Sequence, residues 1–408
     1  SLGQMLTSIG QYDPALEHLQ EALALAITLA DRDAQARACR WISYVYEFRG
    51  EFPLALDWIG RGLEALEDHE TAATAELLAI AGLIATRQGN YDQALEQCKR
   101  SIEIAEQLND ATSLAFAHNS RAIISYARGN SMIAIEDFQK AAVLYLQAEN
   151  IHGQAMSYNG IGNAYQNMGQ WSEAAQYLRR ARVIFAQTGD ELHHVFANNN
   201  LGEIARSQGR LDDALTFYQE ALHSLEQLGG SQYAIGVLHM NLGATFVRHH
   251  AIDTARQHLQ TARDYFAAVN ARDFLPELYR YFAEAALIAQ DVAEAAGQGQ
   301  QALDLARELA MRGEEGNSLR VLGEIAQASD QLDLAAQRLT GSLAVLEEVG
   351  HEYEAARSRL ALAKVYIAQQ KPEQALVMLA RCVPVFERLD AQHALAAARD
   401  LRAQAAEL

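Results

Sequence analysis

Small and apolar positions recur along this chain with a period of about 40 residues, longer than any single helix or strand repeat. One Ala marks each period: Ala15, Ala55, Ala94, Ala134, Ala174, Ala214, Ala255, Ala295, Ala335 and Ala375. Three residues earlier the side chain is usually apolar or aromatic, as at Tyr12, Phe52, Tyr91, Trp171, Leu211, Ile252, Val292 and Leu332. Twelve residues before the Ala every copy is small: Gly3, Ser43, Gly82, Ala122, Gly162, Gly202, Gly243, Ala283, Gly323 and Ala363. Seven residues after it the side chain is small again apart from one Cys: Ala22, Gly62, Ser101, Ala141, Ala181, Ala221, Ala262, Ala302, Ser342 and Cys382. Spacings of seven return to one helix face, so these residues predict seams where two helices pack closely.

Five residues before the Ala stand Gly10, Gly50, Gly89, Gly129, Gly169 and Gly209, where the chain must end one helix and reverse. His250, Gln290, Asp330 and Gln370 take that place in the last four copies. Ser131 suits an N-cap, and Pro53 and Pro372 suit a first turn. First helices are therefore expected near 33–49, 72–88, 111–128, 151–168, 191–208, 231–248, 272–289, 312–329 and 352–369. Second helices are expected near 12–29, 52–67, 92–108, 131–148, 171–188, 211–228, 251–268, 292–309, 332–348 and 372–388, with a final helix over 391–407. Gly297 and Gly299 inside one helix predict a soft spot, and Pro384 predicts a kink.

This set of positions resembles the tetratricopeptide repeat in its longer version of about 40 residues. The motif is fullest at Asn200-Leu201-Gly202, Gly209, Ala214, Tyr218 and Ala221. Similar arrays occur in kinesin light chains, Pins-type polarity scaffolds and the sensor regions of bacterial signal-transducing ATPases and transcription regulators. The resemblance covers nearly all of residues 1–408 and implies a single all-α domain. That domain would be a right-handed superhelical solenoid of ten helix-turn-helix repeats, with 391–408 as a capping helix. Arg121 departs from the family at a usually apolar position, and Gly299 at a usually bulky one.

Composition narrows the function. Hydrophobic residues are 50% and charged residues 21% of the chain, with 26 Gly and 5 Pro, which excludes disordered and collagen-like classes. A net charge of −19 repels phosphate backbones and anionic lipid heads, so neither nucleic acid nor a membrane surface is an expected partner. Without a long apolar run or a charged-then-apolar leader, the chain reads as soluble and cytoplasmic. It opens on Ser1-Leu2-Gly3 in mid-pattern, which predicts a fragment of a longer protein. Cys39, Cys98 and Cys382 are isolated and read as core residues. His193-His194 and His249-His250 lie near helix boundaries with no carboxylate at ligand spacing, so they read as capping or solvated and no metal site is expected. Gly297-Gln298-Gly299-Gln300-Gln301-Ala302 imitates a dinucleotide fingerprint but lies inside a predicted helix. No Walker-type loop, nucleophile elbow or HExxH is present, so no catalytic residue and no cofactor are expected.

What remains is binding. The resemblance implies that first helices line a concave face, and the positions expected there hold six of the chain's 14 Asn: Asn119, Asn159, Asn163, Asn167, Asn199 and Asn317. An amide donates and accepts at once, so a ladder of Asn suits an extended peptide main chain. The alternative is that such Asn bond between neighbouring repeats. The same positions hold nine cations, Arg37, Arg40, Arg87, Arg206, Arg248, Arg280, Arg320, Arg357 and Lys364, and six anions, Glu47, Glu76, Glu203, Glu277, Glu284 and Glu324. A basic groove on an acidic chain favours carboxylate-bearing ligands, unless Arg280/Glu284 and Arg320/Glu324 pair at i,i+4 spacing. Tyr126 and Gln166 extend the polar patch, while Trp41, Tyr44 and Phe48 form an apolar one that either takes an aromatic anchor or packs between repeats.

The expected function is a module binding an extended, acidic peptide or protein segment. Its candidate residues are Arg40, Tyr44, Asn119, Tyr126, Asn159, Asn163, Gln166, Asn199, Glu203, Arg206, Arg248, Arg280 and Arg320. Two alternatives stand beside it. One is an effector-sensing regulator of an attached ATPase, DNA-binding or protease domain; the other is a structural array that self-associates through its ends.

Overall fold

The computed structural model describes residues 2–8, 11–49, 51–67, 69–87, 90–128, 130–227, 232–269 and 271–408. Among them are 21 α-helices and no strand. The first helices are α1 (Leu2–Ser8), α3 (Arg32–Phe48), α5 (Ala72–Arg87), α7 (Ala111–Ala127), α9 (Ile151–Asn167), α11 (Glu191–Gln208), α13 (Gln232–Arg248), α15 (Leu275–Ile288), α17 (Arg312–Ala328) and α19 (Glu352–Ala368). The second helices are α2 (Tyr12–Thr28), α4 (Phe52–Leu66), α6 (Tyr91–Leu108), α8 (Ser131–Gln147), α10 (Trp171–Thr188), α12 (Leu211–Gln227), α14 (Ile252–Ala268), α16 (Val292–Glu308), α18 (Leu332–Glu348) and α20 (Pro372–Arg388), and α21 (Gln392–Glu407) ends the chain.

The expected boundaries recur within a few residues, with one informative shift. Helix α15 starts at Leu275 rather than near 272, because Pro276 has no N–H to donate and belongs in a first turn. Helix α20 runs unbroken through Pro384. Helix α16 likewise runs through Gly297 and Gly299; a Cβ on Gly299 would stand 3.0 Å from Leu322, so the glycine marks close approach to α17.

The small-residue seams lie where the periodicity puts them. A Cβ on Gly3, Gly162, Gly202, Gly243 or Gly323 would come within 2.7 Å of a side chain sixteen residues on, in the paired second helix. On the second helices, Ala141, Ala181, Ala221, Ala262, Ala302 and Cys382 are fully buried. Ser101 and Ser342 donate to the carbonyls of Ala75 (2.6 Å) and Gly316 (2.7 Å), so even the polar members satisfy themselves inside the seam.

The helices group into two compact units, residues 1–197 and 198–408. Within each, hydrophobic clusters join consecutive helices: Ala134, Ile135 and Phe138 of α8 with Ile161 of α9 in the first, Leu259 and Phe266 of α14 with Leu278 and Tyr281 of α15 in the second. Each buried Leu, Ile or Phe contributes about 1.5–3 kcal/mol, so stability accumulates between neighbouring repeats.

The turns also keep their geometry where glycine is lost. Gly169 and Gly209 have φ of 70° and 87°, and His250, Gln290, Asp330 and Gln370 adopt the same left-handed region at 58° to 63°. Gly10, Gly50, Gly89 and Gly129 lie outside the described residues.

Candidate functional site

In the second unit, first helices enclose a cavity of about 470 Å³. Its wall takes Ser207 from α11, Val247 and Arg248 from α13, Glu284 from α15, Glu324 from α17, and Tyr353, Arg357 and Lys364 from α19. The wall closes because Tyr353 Oη donates to the Ser207 carbonyl at 3.0 Å, across 146 residues of sequence. Helix α21, expected as a cap or the start of an eleventh repeat, contributes His393, Ala394 and Ala397.

The charges of this wall are organised as a network. Arg280 meets Glu277 (3.2 Å), Glu284 (3.4 Å) and Glu314 (2.9 Å), while Arg320 meets Glu284 (3.2 Å), Glu324 (2.9 Å) and Glu354 (3.8 Å). The i,i+4 pairs expected as an alternative are therefore present. The Arg320 side chain is only 1% exposed, so its role in the structure is to hold three carboxylates together. Burial works against the charge on Glu284, but Arg280 and Arg320 outweigh it and hold the carboxyl at about 2. Arg206 donates to Tyr281 Oη (2.7 Å), which donates to Glu277 (2.7 Å).

Arg248 differs from these. Its guanidinium donates to the Arg206 carbonyl at 2.8 Å, and among the described residues no carboxylate pairs with it. Burial first, then the neighbouring Arg357 and Arg206 cations, lower its pKa against the opposing pull of Tyr353 and Glu284. Lys364 stands exposed on the same wall, also without a paired carboxylate among the described residues.

The first unit holds a cavity of about 260 Å³, lined among others by Arg40, Trp41 and Tyr44 of α3, Phe116 and Asn119 of α7, and His152 and Met156 of α9. Arg40 pairs with Glu76 at 2.9 Å and lies 4.5 Å over the Trp41 ring. Trp41 and Tyr44 meet edge to face at 5.8 Å, and the Phe48 side chain lies outside the described residues. Arg121 departs from the usual apolar residue because Asp137, buried in the facing helix, takes both its Nε (2.8 Å) and its Nη2 (2.6 Å).

The candidate residues thus fall into groups. Arg40, Tyr44 and Asn119 share the first cavity, and Arg248 lines the second. Asn119 Oδ1 accepts from Ser157 (3.2 Å), whereas the buried Oδ1 of Asn159 accepts nothing among the described residues. Asn199 accepts from Asn241 of α13 (2.9 Å), an inter-repeat bond, and donates to Glu203 one turn on in its own helix (3.0 Å). Tyr126 packs against the core cluster of α8 and α9, and Asn163 and Gln166 are half-buried on α9.

Two expectations about histidine are corrected. His193 Nδ1 meets Asp190 at 2.7 Å and His249 Nε2 meets Asp212 at 3.2 Å. Asp190 lies three residues before His193 and caps α11, accepting from the His193 backbone N–H at 3.0 Å. Asp212 lies 37 residues before its histidine, on the helix that the repeat period brings alongside. The three cysteines are buried thiols as expected, and burial pushes them up to about 11 for Cys39 and Cys382 and about 12 for Cys98. No described helix is long and apolar enough to cross a membrane.

Comparison with known proteins agrees with this geometry. Tetratricopeptide repeat family models match residues 193–268, and residues 1–33, 74–113 and 154–187. A protein named Kinesin light chain-related 1, from Arabidopsis thaliana, is 24% identical over 279 residues, which is 64% of this chain and 44% of the relative. The chain spans less than half the length of that relative. Among solved structures, a Rap protein complexed with competence and sporulation factor superposes with a TM-score of 0.67 at 16% identity, covering 88% of this chain and 99% of that one. A Rap conjugation gene regulator of the plasmid pLS20, solved in complex with a peptide, gives a TM-score of 0.57 at 15% identity, covering 92% and 96%.

Proposed function

Because the chain is an array of tetratricopeptide repeats, and so a protein-interaction repeat domain, we propose that it binds an extended, acidic peptide or protein segment against its first helices. The reading is of a cytoplasmic binding module rather than an enzyme, in keeping with three buried free thiols. The observation that supports it is Arg248, a half-buried guanidinium on the cavity wall of the second unit with no carboxylate within ion-pair distance among the described residues. A ligand carboxylate would supply the missing partner through a charge-assisted, bidentate bond. Lys364 adds a second cation at the same wall, while Arg280 and Arg320 hold the wall together. The Rap regulator solved with a peptide supports the reading by likeness of fold.

Labelled extended peptides in acidic, neutral and basic pools test this by fluorescence polarisation. The acidic pool is expected to bind the wild type, and to bind Arg248→Gln combined with Lys364→Gln at least about tenfold more weakly, with Tm unchanged. Equal binding of all three pools, or undiminished binding by the double variant, contradicts it.

A further inference from the structure

We infer that His152, Asp190 and His193 form a site for a divalent transition-metal ion of the zinc class, at the rim of the first unit's cavity. The site stands on observations independent of the peptide reading. One donor atom from each residue lies within 4.8 Å of the other two. His152 Nε2 meets Asp190 Oδ2 at 2.5 Å, and His193 Nδ1 meets the same oxygen at 2.7 Å. Two imidazoles and a carboxylate are a donor set that zinc takes, with an open fourth position.

Charge is the second observation. The Asp190 side chain is 4% exposed, yet its ion-pair partners among the described residues are the two histidines and no Arg or Lys. Asp137, the other buried aspartate among the described residues of this unit, also meets a histidine, His118 at 3.1 Å, but has the permanent cation of Arg121 in a two-point bond. Asp190 thus lacks the permanent cation that Asp137 has, and a dication between the three side chains supplies one.

The surroundings fit the chemistry. Phe185, fully buried, meets His152 edge-on (centroids 6.0 Å) and His193 at a tilt (5.3 Å), and gives an apolar backing to the cluster. Asp190 is oriented by the backbone N–H of His193 at 3.0 Å. Ligands about 2.1 Å from zinc stand roughly 3.4 Å from one another, so His152 must withdraw from Asp190 by about 0.9 Å and His193 by about 0.7 Å. The His152 side chain is 44% exposed and has room to do so. Because His152 and His193 both line the cavity, the open coordination position faces the cavity rim. The ion joins α9 to the start of α11 across adjacent repeats.

Equilibrium dialysis of the whole chain, stripped with chelator and then offered zinc, tests this, with cobalt absorption reporting geometry. The wild type is expected to take up one equivalent, to show the visible bands of four-coordinate cobalt, and to gain thermal stability. His152→Ala and His193→Ala are each expected to weaken binding at least about tenfold, while His249→Ala, which removes an ordinary His–Asp pair, leaves it unchanged. Should His193→Ala fail to fold, the exposed His152→Ala, checked by far-UV circular dichroism, decides alone. No uptake by the wild type, or the same affinity in His152→Ala, overturns the site.

Discussion

At the residue scale, the last four turns show how a conformation can outlive the residue suited to it. His250, Gln290, Asp330 and Gln370 hold the left-handed φ that Gly169 and Gly209 adopt without a Cβ. That region costs an ordinary residue about 1–2 kcal/mol, part of which glycine returns to the unfolded chain as entropy. Gln370→Gly is therefore expected to stabilise the protein by about 0.5–1 kcal/mol, read as a higher urea midpoint at constant slope. Arg121 makes the opposite point: alone it breaks the apolar pattern, and only Asp137, sixteen residues on, explains it. Such pairs are invisible to single-position reading because each member looks misplaced without the other.

At the element scale, the seams were open to sequence reading because packing of one helix on another leaves no alternative to a small residue. Gly202 faces Tyr218, where a Cβ would lie 2.6 Å from the ring, whereas nothing lies within 4 Å of a Cβ on Gly297. Gly202→Ala is expected to destabilise by about 1–3 kcal/mol through overpacking, and Gly297→Ala to stabilise by about 1 kcal/mol through helix propensity; equal effects in denaturant melts would contradict this. Helices α13 and α14 also set a pH dependence, since His239 and His258 meet at 2.9 Å through their Nδ1 atoms. Burial first, and then His258, lower His239 to about 4, and burial lowers His258 as well. The unfolded chain binds protons on both near 6.5, so between there and about 4 it holds more protons than the native state. This contribution is complete above 6.5 and lost as pH falls towards 4. His258→Gln is expected to flatten the fall of Tm over that window while leaving Tm differences constant above it. The candidate site was harder to read than the seams: Arg280 and Arg320 look like ligand grips until Glu314 and Glu354, from following repeats, are seen to occupy them. Conversely, α21 and Tyr353 reach the cavity through long-range closure that a 40-residue period does not encode.

At the scale of the whole molecule, a chain of net charge −19 carries 33 Lys and Arg against 52 Asp and Glu. Of the cations that line the cavity of the second unit, Arg357 is committed to Glu354, so in the proposed reading specificity for an acidic ligand rests on Arg248 and Lys364 rather than on a general basic field. In that reading the repeats supply the wall, and these two side chains supply the chemistry. The most direct measurement is selection from a random peptide display library against the immobilised chain, run in parallel on the wild type and on Arg248→Gln with Lys364→Gln. The account predicts Asp and Glu enrichment in peptides retained by the wild type and its loss with the double variant; acidic enrichment that persists in the variant, or retained peptides with no acidic bias, would contradict it.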